Sequence, residues 1–396
     1  MNNSLDESRV KSVLEKLVSF DTQNPPGREL EAAHFILGEL QGMGCRAEAV
    51  DVSEGRTNVA GVFENGPGPV FAFNTHIDVV PVGDGWTSDP FSLRENAGKL
   101  YGRGSCDAKG PLTAMLEAMR ILIATKDSWS GTLLGVFVAD EEVGSEGAKS
   151  YVRNAAPVDY CAIGEPTSCT TVTAHKGSVR PIVRIHGVSS HSGMPDLGVN
   201  AVLKSVPFLN RVIAEHERVK AKTHNLVGSA SLTIVNARGG VAFNVVPEFC
   251  DFVLDRRMVP GEDEDVVLSD LTSLVEGAAR EAGTKAEIIG FKPTTGSATE
   301  TPADHPIVKA AQSSCLSHNG LETPLKGFQG GCDLVHFRTL GAQGVVIGAG
   351  SLEVAHKIDE FVPIDELMRS VFIYRDLANS MLQNGALPSQ HIQKGN

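Results

Sequence analysis

The sequence of 396 residues predicts an α/β protein with a mixed, mostly parallel sheet flanked by helices, and with an α+β sandwich inserted into it. Two observations predict this fold class. Short apolar runs that end abruptly in polar residues alternate with stretches of helical apolar spacing, which is typical of buried parallel strands joined by helices. Between about 177 and 293, polar and apolar residues instead alternate one by one, which indicates antiparallel strands with one wet face.

The first part of the chain, residues 1–176, predicts two helices followed by strands. Residues 6–20 and 29–43 have helical apolar spacing and are separated by the breaker "TQNPPG". A further helix is predicted at 109–126, with Pro111 in its first turn. Three apolar runs predict buried strands: "PVFAFNTHID" (69–78), "TLLGVFVAD" (132–140) and "DYCAIGEPT" (159–167). Ligands bind beyond the carboxyl ends of such strands, so the polar residues there are functional candidates.

The second part of the chain, residues 177–293, predicts an insertion, and the third part, residues 294–396, returns to the alternation of apolar strands and helices. Residues 177–293 contain three alternating runs, "SVRPIVRIHGV", "SASLTIVNA" and "EFCDFVLDRRM", with helices at about 198–217 and 263–282. Residues 294–396 then predict a helix at 305–318, the strand "GVVIGAG", a helix from about 364 to 384 and a frayed tail, "GALPSQHIQKGN". We therefore expect one domain formed by 1–176 and 294–396, interrupted by the inserted domain.

Composition excludes several classes of partner. The formal net charge of -13 argues against nucleic acid or an anionic membrane surface as a partner. The polar N-terminus "MNNSLDESRV" is unlike a secretory signal, and no apolar run reaches the roughly 20 residues needed to cross a bilayer. Seven scattered cysteines without a C-x-x-C pair favour a reducing compartment. We expect a cytoplasmic protein.

Acids and histidines gather where the predicted strands end. Carboxylates and imidazoles at one sheet edge are the ligand set of a hydrolytic metal site, zinc above all, although cobalt and manganese suit the same ligands. Two divalent cations would also neutralise the three consecutive carboxylates of "ADEEVGS". The candidates are His76 and Asp78 in "NTHID", Asp107 in "GRGSCDAKG", Glu141 and Glu142 in "DEEVGS", Glu165 in "GEPT" and His356 in "AHKIDEF".

The residue types suggest roles within this set. A short, stiff aspartate suits a carboxylate that bridges two metals. Asp78, two residues after His76, can accept the second imidazole N–H and fix the tautomer. Because Glu141 and Glu142 are adjacent, their side chains point in different directions, so one can bind metal while the other takes a proton from water. Each feature alone also has a purely structural interpretation: "DEE" could form a solvated turn, and Asp107 could be a helix N-cap. Their joint occurrence in this order favours the metal site.

Other catalytic signals are absent from the sequence. "GRGSCD" begins like G-x-G-x-x-G but lacks the third glycine, which argues against a dinucleotide site. There is no G-x-S-x-G and no phosphate loop, which removes the obvious serine hydrolase and nucleotide hypotheses.

Six blocks of the sequence resemble a known family. They are "NTHIDVVP", "LYGRGSCDAKGP", "ADEEVGS", "IGEPT", "HSGMP" and "NVVPE". In type and order they are similar to those of the co-catalytic zinc metallohydrolases, the family of acetylornithine deacetylase, succinyl-diaminopimelate desuccinylase, aminoacylase and carboxypeptidase G. The resemblance implies a zinc exopeptidase-like catalytic domain and two metal ions that share Asp107. One ion would also be held by His76 and Glu165, and the other by Glu142 and His356.

The resemblance also implies a mechanism and a partner. Glu141 would be the general base for a metal-bridging water and then the general acid for the leaving amine. The peptide bond after Asp107 would be cis, and the inserted domain would be a lid that forms a homodimer. His191 would stabilise the oxyanion in the partner's active site, and Asn244 and Arg257 would bind the substrate carboxylate.

The sequence departs from the family pattern at two positions near the substrate. Asp359 replaces an asparagine common in relatives, and Cys332 stands where they often carry threonine or serine. We therefore expect a metallo-amidohydrolase that removes an acyl group from a small-molecule N-acyl amino acid, as acetylornithine deacetylase does. A desuccinylase, a peptidase or a deaminating amidohydrolase on the same metals remains an alternative. A non-catalytic metal-binding interaction protein is a remote one.

Overall fold

A computed structural model gives the structure of residues 5–383. The tail "GALPSQHIQKGN" lies outside the described residues. The helices within the described range are α1 (Glu7–Val18), α2 (Leu30–Gly42), α3 (Lys109–Ala124), α4 (Glu146–Val152), α5 (Ala201–Lys204), α6 (Val206–Lys220), α7 (Glu264–Ala282), α8 (Pro306–Asn319), α9 (Leu334–Thr339) and α10 (Ile364–Gln383).

Eighteen strands accompany these helices within residues 5–383. They are β1 (Arg46–Ser53), β2 (Arg56–Asn65), β3 (Val70–His76), β4 (Arg94–Asn96), β5 (Lys99–Tyr101), β6 (Gly131–Val138), β7 (Tyr160–Ile163), β8 (Val172–His175), β9 (Gly177–His186), β10 (Thr223–His224), β11 (Gly228–Ser229), β12 (Ser231–Gly239), β13 (Phe249–Met258), β14 (Ala286–Lys292), β15 (Thr299–Glu300), β16 (Lys326–Phe328), β17 (Gln343–Val346) and β18 (Phe361–Pro363).

The chain divides into two compact units. Within residues 5–383, the first consists of residues 5–173, 301–326 and 332–383, and the second of residues 174–300 and 327–331. The sequence expectation placed the insertion at 177–293, within the second unit. The assignment of a catalytic and a lid role to these units stays a prediction.

The first unit is built around a sheet with a parallel centre. Its strands follow the order β1-β2-β6-β3-β7-β17, and β3 lies between β6 and β7, parallel to both. β17 runs parallel to β7, whereas β1 and β2 are antiparallel additions at the β6 side. Strands such as β3, "VFAFNTH", are buried along almost their whole length because helices cover the sheet. The α/β fold class is therefore confirmed.

Apolar helices cover this sheet. Thirteen of the sixteen residues of α3 are buried, including Leu112, Met115 and Met119, so the helix is buried on nearly all sides. It packs against α1 and α10, and α10 also packs on α8. Tyr374 of α10 places its ring against Phe73 of β3, 5.6 Å between centroids. Together these contacts fix β3, and with it His76, against a rigid core.

The second unit is an antiparallel sheet with helices packed on it. Its strand order is β12-β13-β9-β14, and α6 and α7 pack on the sheet and on each other. Asp263 caps α7 by accepting the N–H groups of Asp265 and Val266, and the helix ends at Gly283, whose φ is +61°. The core of this unit contains Phe208 and Phe252, whose ring centroids lie 5.2 Å apart.

Most of the predicted helices and strands are confirmed, with shifted ends. The predicted helix 198–217 is in fact two helices, α5 and α6, which meet at Ser205 just before Pro207. The strands β1 and β2 and the short helices α4 and α9 were not predicted from the sequence. Among residues 5–383, no helix has both the length and the apolar character that crossing a bilayer requires.

Candidate metal centre

Three strand ends bring candidate ligands to one edge of the first unit's sheet. His76 is the last residue of β3 and lies in register with Val138, the last residue of β6. β7 ends at Ile163, in register with Asn74 of β3. Because β3, β6 and β7 are parallel, the residues that follow them emerge at the same edge. This edge carries His76, Glu141, Glu142 and Glu165.

His76 is completely buried and has a defined orientation. Its Nδ1 donates a hydrogen bond to the backbone carbonyl of Asp78 at 2.8 Å, which leaves the lone pair on Nε2. That Nε2 faces Oδ1 of Asp107 at 3.1 Å. Two acceptor atoms this close need a proton or a metal cation between them. Burial opposes the charged imidazole, but the carboxylates of Asp107, Glu165 and Asp78 raise the pKa of His76 well above its usual value.

Asp107 lies between two imidazoles. It sits just before α3, and its peptide bond to Ala108 is cis, as the resemblance implies. Oδ1 of Asp107 faces His76, and Oδ2 lies 3.2 Å from Nε2 of His356. Burial alone would raise the pKa of the Asp107 carboxyl, but hydrogen bonds with His356 and His76 hold it well below its usual range. The carboxylate therefore stays ionised between its two partners.

His356 approaches from the loop after β17. Its Nε2 also lies 3.0 Å from Oε2 of Glu142, so one imidazole joins Asp107 to Glu142. Hydrogen bonds with these two carboxylates raise the pKa of His356 to about 10, against some opposition from burial. The side chain is 54% exposed, so this corner of the centre is open to solvent.

The glutamates complete the cluster and carry repelling charges. Burial, reinforced by the charge of Glu165, raises the pKa of Glu141 well above its usual value. Burial and the charge of Asp107 do the same for Glu165 and raise the pKa of Glu142. Oε1 of Glu142 is buried and has no hydrogen-bond partner among residues 5–383. An orphaned buried carboxylate oxygen of this kind fits a metal ligand.

Two groups of potential ligand atoms meet at His76. His76, Asp107 and Glu142 form one group, and His76, Glu141 and Glu165 form the other; within each group the ligand atoms lie within 4.8 Å of one another. Imidazole nitrogen and carboxylate oxygen suit divalent zinc, cobalt or manganese. With His356 at the edge of the first group, the donors fit two cations better than one, because a single ion leaves buried carboxylates unpaired.

Asp78 contacts His76 differently from the sequence expectation. Its backbone carbonyl, not its carboxylate, accepts the Nδ1–H, and its Oδ1 lies 3.7 Å from that nitrogen. The carboxylate instead accepts the backbone N–H groups of Glu141 at 3.1 Å and Glu142 at 3.3 Å. The chain thus uses Asp78 to fix both the imidazole and the neighbouring acidic turn.

The three consecutive acids of "DEE" do not share one role. Asp140 belongs to neither ligand group; its Oδ1 accepts a hydrogen bond from Asn24 at 3.0 Å, and Nη1 of Arg56 lies 3.0 Å from the same oxygen. Glu141 and Glu142 alone belong to the ligand groups. Arg56 offsets the charge of Asp140, whereas the repulsion between Glu141 and Glu142 remains.

Several residues around the centre were not found from the sequence. Arg103 and Glu360 form a buried ion pair behind Asp107, and Asn24 bonds to Asp78. Asp333 is 1% exposed, and burial raises the pKa of its carboxyl to about 7. Arg103 lies in "GRGSCD", Glu360 lies in "AHKIDEF" with His356, and Asp333 follows Cys332, and this position was the only sequence signal for these three. Asn24 lies in "TQNPPG", outside the motif blocks, and had no such signal.

The remaining predicted site residues lie in the second unit. His191 and Asn244 are both exposed and adjacent, since the N–H of Ser192 donates to the Asn244 carbonyl at 3.0 Å. Arg257 lies in β13, and its Nε is 2.9 Å from Oδ1 of Asp255.

Asp359, where the sequence departs from the family pattern, lies in the first unit beyond His356. It accepts hydrogen bonds from the N–H and hydroxyl of Thr87, each at 3.0 Å.

The chain is similar to known proteins over most of its length. The chain is 33% identical over 301 residues to an acetylornithine deacetylase from Myxococcus xanthus, covering 74% of this chain and 75% of that protein. It is 28% identical over 409 residues to a probable succinyl-diaminopimelate desuccinylase from Staphylococcus epidermidis, covering 96% and 99%. Its fold is similar to that of an M20 family metallo-carboxypeptidase from Sulfolobus solfataricus, with a TM-score of 0.77, 18% identity and coverage of 95% and 99%.

The family assignment rests on most of the chain. Residues 72–380 match the model of Peptidase family M20/M25/M40, and this range includes His76, Asp107, Glu165 and His356. The chain is therefore a hydrolase that belongs to Peptidase family M20/M25/M40.

Proposed function

We propose that this protein is a metal-dependent amidohydrolase that removes the acyl group from an N-acyl amino acid, in the manner of acetylornithine deacetylase. The observation that carries the proposal is the position of Asp107, whose two carboxylate oxygens face His76 and His356 at 3.1 and 3.2 Å. A carboxylate shared by two imidazoles is the arrangement that a bridging ligand requires.

The residues divide between two cations as follows. His76, Asp107 and Glu165 would hold one, and Asp107, Glu142 and His356 the other. When bound, such ions polarise the substrate carbonyl and make water a better nucleophile at neutral pH. We assign zinc as the native metal because imidazole and carboxylate ligands are typical of hydrolytic zinc sites. Cobalt and manganese accept the same ligands and are proposed as substitutes. Metal analysis of protein purified without added metal tests the assignment: two zinc per chain supports it, and another metal overturns it.

Glu141 carries the proton in the proposed reaction. Water adds to the amide carbonyl carbon while the Glu141 carboxylate removes its proton. The C–N bond then breaks, Glu141 returns the proton to the leaving nitrogen, and the acyl group departs as a carboxylic acid. Glu141 suits this role because the hydrogen bond from its own N–H to Asp78 fixes its backbone beside the ligands without using its side chain.

Substrate recognition is proposed to lie with His191, Asn244 and Arg257. Arg257 offers a guanidinium for a bidentate contact with the α-carboxylate of an N-acyl amino acid. Its Nε and Nη2 contact Asp255 at 2.9 and 3.1 Å, and the side chain is 29% exposed, so we propose that its other N–H groups reach the substrate. The Arg257→Lys variant tests this role: we expect KM to rise about tenfold or more with kcat nearly unchanged. An unchanged KM would remove Arg257 from the substrate site.

We further propose that two copies form a homodimer through the second unit. β12 is an edge strand of its sheet, and exposed apolar residues accompany it on this unit: Leu197, Leu203, Ile213, Val241 and Phe243. An exposed strand edge with apolar neighbours favours pairing with another copy. Sedimentation at micromolar concentration tests this: a dimer supports it, and a monomer that is fully active overturns it.

In the proposed dimer, His191 of each copy stabilises the oxyanion in the active site of the other copy. Mixing two inactive variants, His191→Ala and Glu141→Ala, tests this exchange. If His191 acts across the dimer, hybrid dimers contain one intact site and the mixture regains activity. If His191 acts within its own chain, the mixture stays inactive.

We also propose a cytoplasmic location. All seven cysteines are free and buried, and cysteines left as thiols are typical of proteins from reducing compartments. Fractionation of the native cells tests this location.

Hydrolysis of a panel of N-acetyl, N-succinyl and N-formyl amino acids by stripped and metal-reloaded protein tests the proposed activity. We expect metal-dependent release of a free amino acid from an N-acetyl substrate. Release from N-succinyl substrates alone would favour the desuccinylase alternative, which the similarity over 96% of this chain keeps in view. Inactivity towards every amide, with two metals bound, would overturn the proposal.

A further inference from the structure

We infer that Asn24 is a positioning residue for Glu141, acting through the two carboxylates of Asp78 and Asp140. Asn24 lies in the segment "TQNPPG", far from the ligands in sequence, and only 3% of it is exposed. The inference rests on the proposed role of Glu141 as the base and extends it to the residues that hold this base in place.

The turn that carries Glu141 and Glu142 starts at Asp140, in an unusual conformation. The φ of Asp140 is +70°, a region that residues other than glycine rarely adopt. Its carbonyl accepts the N–H of Gly144 at 3.0 Å, and its Oδ2 accepts the N–H of Glu146 at 3.3 Å. The side chain of Asp140 must therefore stay in place for the turn to keep its shape.

Asp78 fixes the same turn from the other side. Its Oδ1 and Oδ2 accept the backbone N–H groups of Glu141 and Glu142. The direction of both glutamate side chains thus depends on two carboxylates, those of Asp78 and Asp140.

The side-chain amide of Asn24 joins these two carboxylates. Its Nδ2 donates to Oδ2 of Asp78 at 2.8 Å and to Oδ1 of Asp140 at 3.0 Å. One neutral group therefore satisfies two buried anions that would otherwise repel each other. Arg56 contacts Asp140 from behind, and its Nη2 lies 2.9 Å from Oε1 of the fully buried Glu29, which supports one end of the network.

Loss of Asn24 should act on turnover rather than on substrate binding. Without the two N–H donors, Asp78 and Asp140 separate or take up water, and the turn between them shifts. Catalytic groups need to be placed within about 0.5 Å of the productive geometry, so the rate falls. Asn24, Asp78 and Asp140 belong to the first unit, whereas the residues proposed to bind substrate belong to the second.

The test compares Asn24→Ala with a matched control, Asn65→Ala. Asn65 also donates from Nδ2 to two acceptors, the carbonyls of Lys126 and Trp129, each at 2.6 Å. Asn65 is the last residue of β2, at the end opposite Arg56, and it lies in register with Gly131 at the start of β6. We expect Asn24→Ala to lower kcat about 10- to 100-fold with KM changed less than about twofold. Losses of this size are typical when a residue that holds the groups of a metal site in place is replaced. Asn65→Ala should leave both constants unchanged.

A second readout does not depend on activity. Hydrogen–deuterium exchange of the peptide 139–147 should be faster in Asn24→Ala, since the amides of Glu141 and Glu142 lose their fixed acceptor, and unchanged in Asn65→Ala. If Asn24→Ala does not fold, Asn24→Ser keeps one donor and should show an intermediate effect.

The outcomes separate the two proposals. Wild-type kcat and wild-type exchange of 139–147 in Asn24→Ala would overturn the inference, while an inactive Glu141→Ala would still support the proposed function. Full activity of Glu141→Ala would overturn the proposed function, and the exchange experiment would then still report whether Asn24 holds the turn.

Discussion

Arg103 and Glu360 form an almost completely buried ion pair, although 257 positions separate them in the chain. Oε1 of Glu360 accepts the backbone N–H groups of two consecutive residues, the second of which is Asp107, at 2.9 Å. Nη1 of Arg103 donates to the carbonyl of Lys357, next to His356, at 3.1 Å. The pair therefore fixes the backbone on both sides of the contact between Asp107 and His356.

The first prediction concerns this pair. Glu360→Gln leaves the Arg103 guanidinium buried without a counter-charge, which should lower the free energy of unfolding by about 3–5 kcal/mol. Because Glu360 also orients Asp107, metal affinity should fall about 10- to 100-fold. Urea denaturation and metal titration measure the two effects.

Two variants serve as comparisons for Glu360→Gln. Asp365→Asn breaks an exposed ion pair, Arg369 to Asp365 at 3.0 Å, and should cost less than about 0.5 kcal/mol. The double variant Arg103→Met with Glu360→Gln removes both charges and should recover part of the lost stability. Metal affinity equal to wild type in Glu360→Gln would show that the pair does not position Asp107.

The second prediction concerns Glu141. Glu141→Ala should lower kcat by at least about 100-fold, because the proton then has no carrier. Metal content should stay near wild type, since the proposed ligands all remain. Loss of metal instead would mean that Glu141 is a ligand, consistent with its place beside His76 and Glu165. Glu146→Ala is the control, because Glu146 begins α4 directly after this turn and forms only partly exposed ion pairs.

The third prediction concerns pH and His175, which is fully buried in the second unit. Its Nδ1 donates to the carbonyl of Lys176 at 2.9 Å, and burial lowers its pKa from 6.5 to about 4. As the pH falls from 6.5 to 4, the unfolded chain takes up a proton that the folded protein does not. This proton uptake lowers the free energy of unfolding by up to about 3 kcal/mol across that interval.

The comparison for this prediction is His175→Gln, which does not titrate. The stability of wild type relative to His175→Gln should decrease as the pH falls through this window and be constant above it. Urea denaturation of both proteins at several pH values measures the difference. A difference that does not change with pH would show that His175 ionises equally in both states.

Much of the fold was predictable because buried strands are rich in apolar residues, which form a recognisable pattern in the sequence. β3 and β6 are buried on both faces, so they read as unbroken apolar runs that stop where the sheet edge meets the ligands. β1, "RAEAVDVS", was missed because it is an edge strand with most residues exposed, and its alternation is masked by charged and small residues. A local sequence pattern reveals a strand when its residues are buried, and none of the residues of β1 is fully buried.

The site was predictable in its residues but not in its supporting contacts. His76, Asp107 and His356 were found from motif blocks, each of which is local in sequence. The contact of Asp78 with the N–H groups of Glu141 and Glu142, and the bonds from Asn24, depend on which loops meet in space. Hydrogen bonds to backbone groups place little demand on sequence spacing, so no periodicity revealed them.

The proposed two-metal centre is tested by measuring hydrolysis of an N-acetyl amino acid while zinc is added back to metal-free protein. We expect no activity without metal, full activity at two zinc per chain, and loss of both binding steps in Asp107→Asn, because Asp107 is proposed to serve both ions. Activity that persists in metal-free protein, or Asp107→Asn that still binds two zinc with wild-type affinity, would contradict the proposed centre.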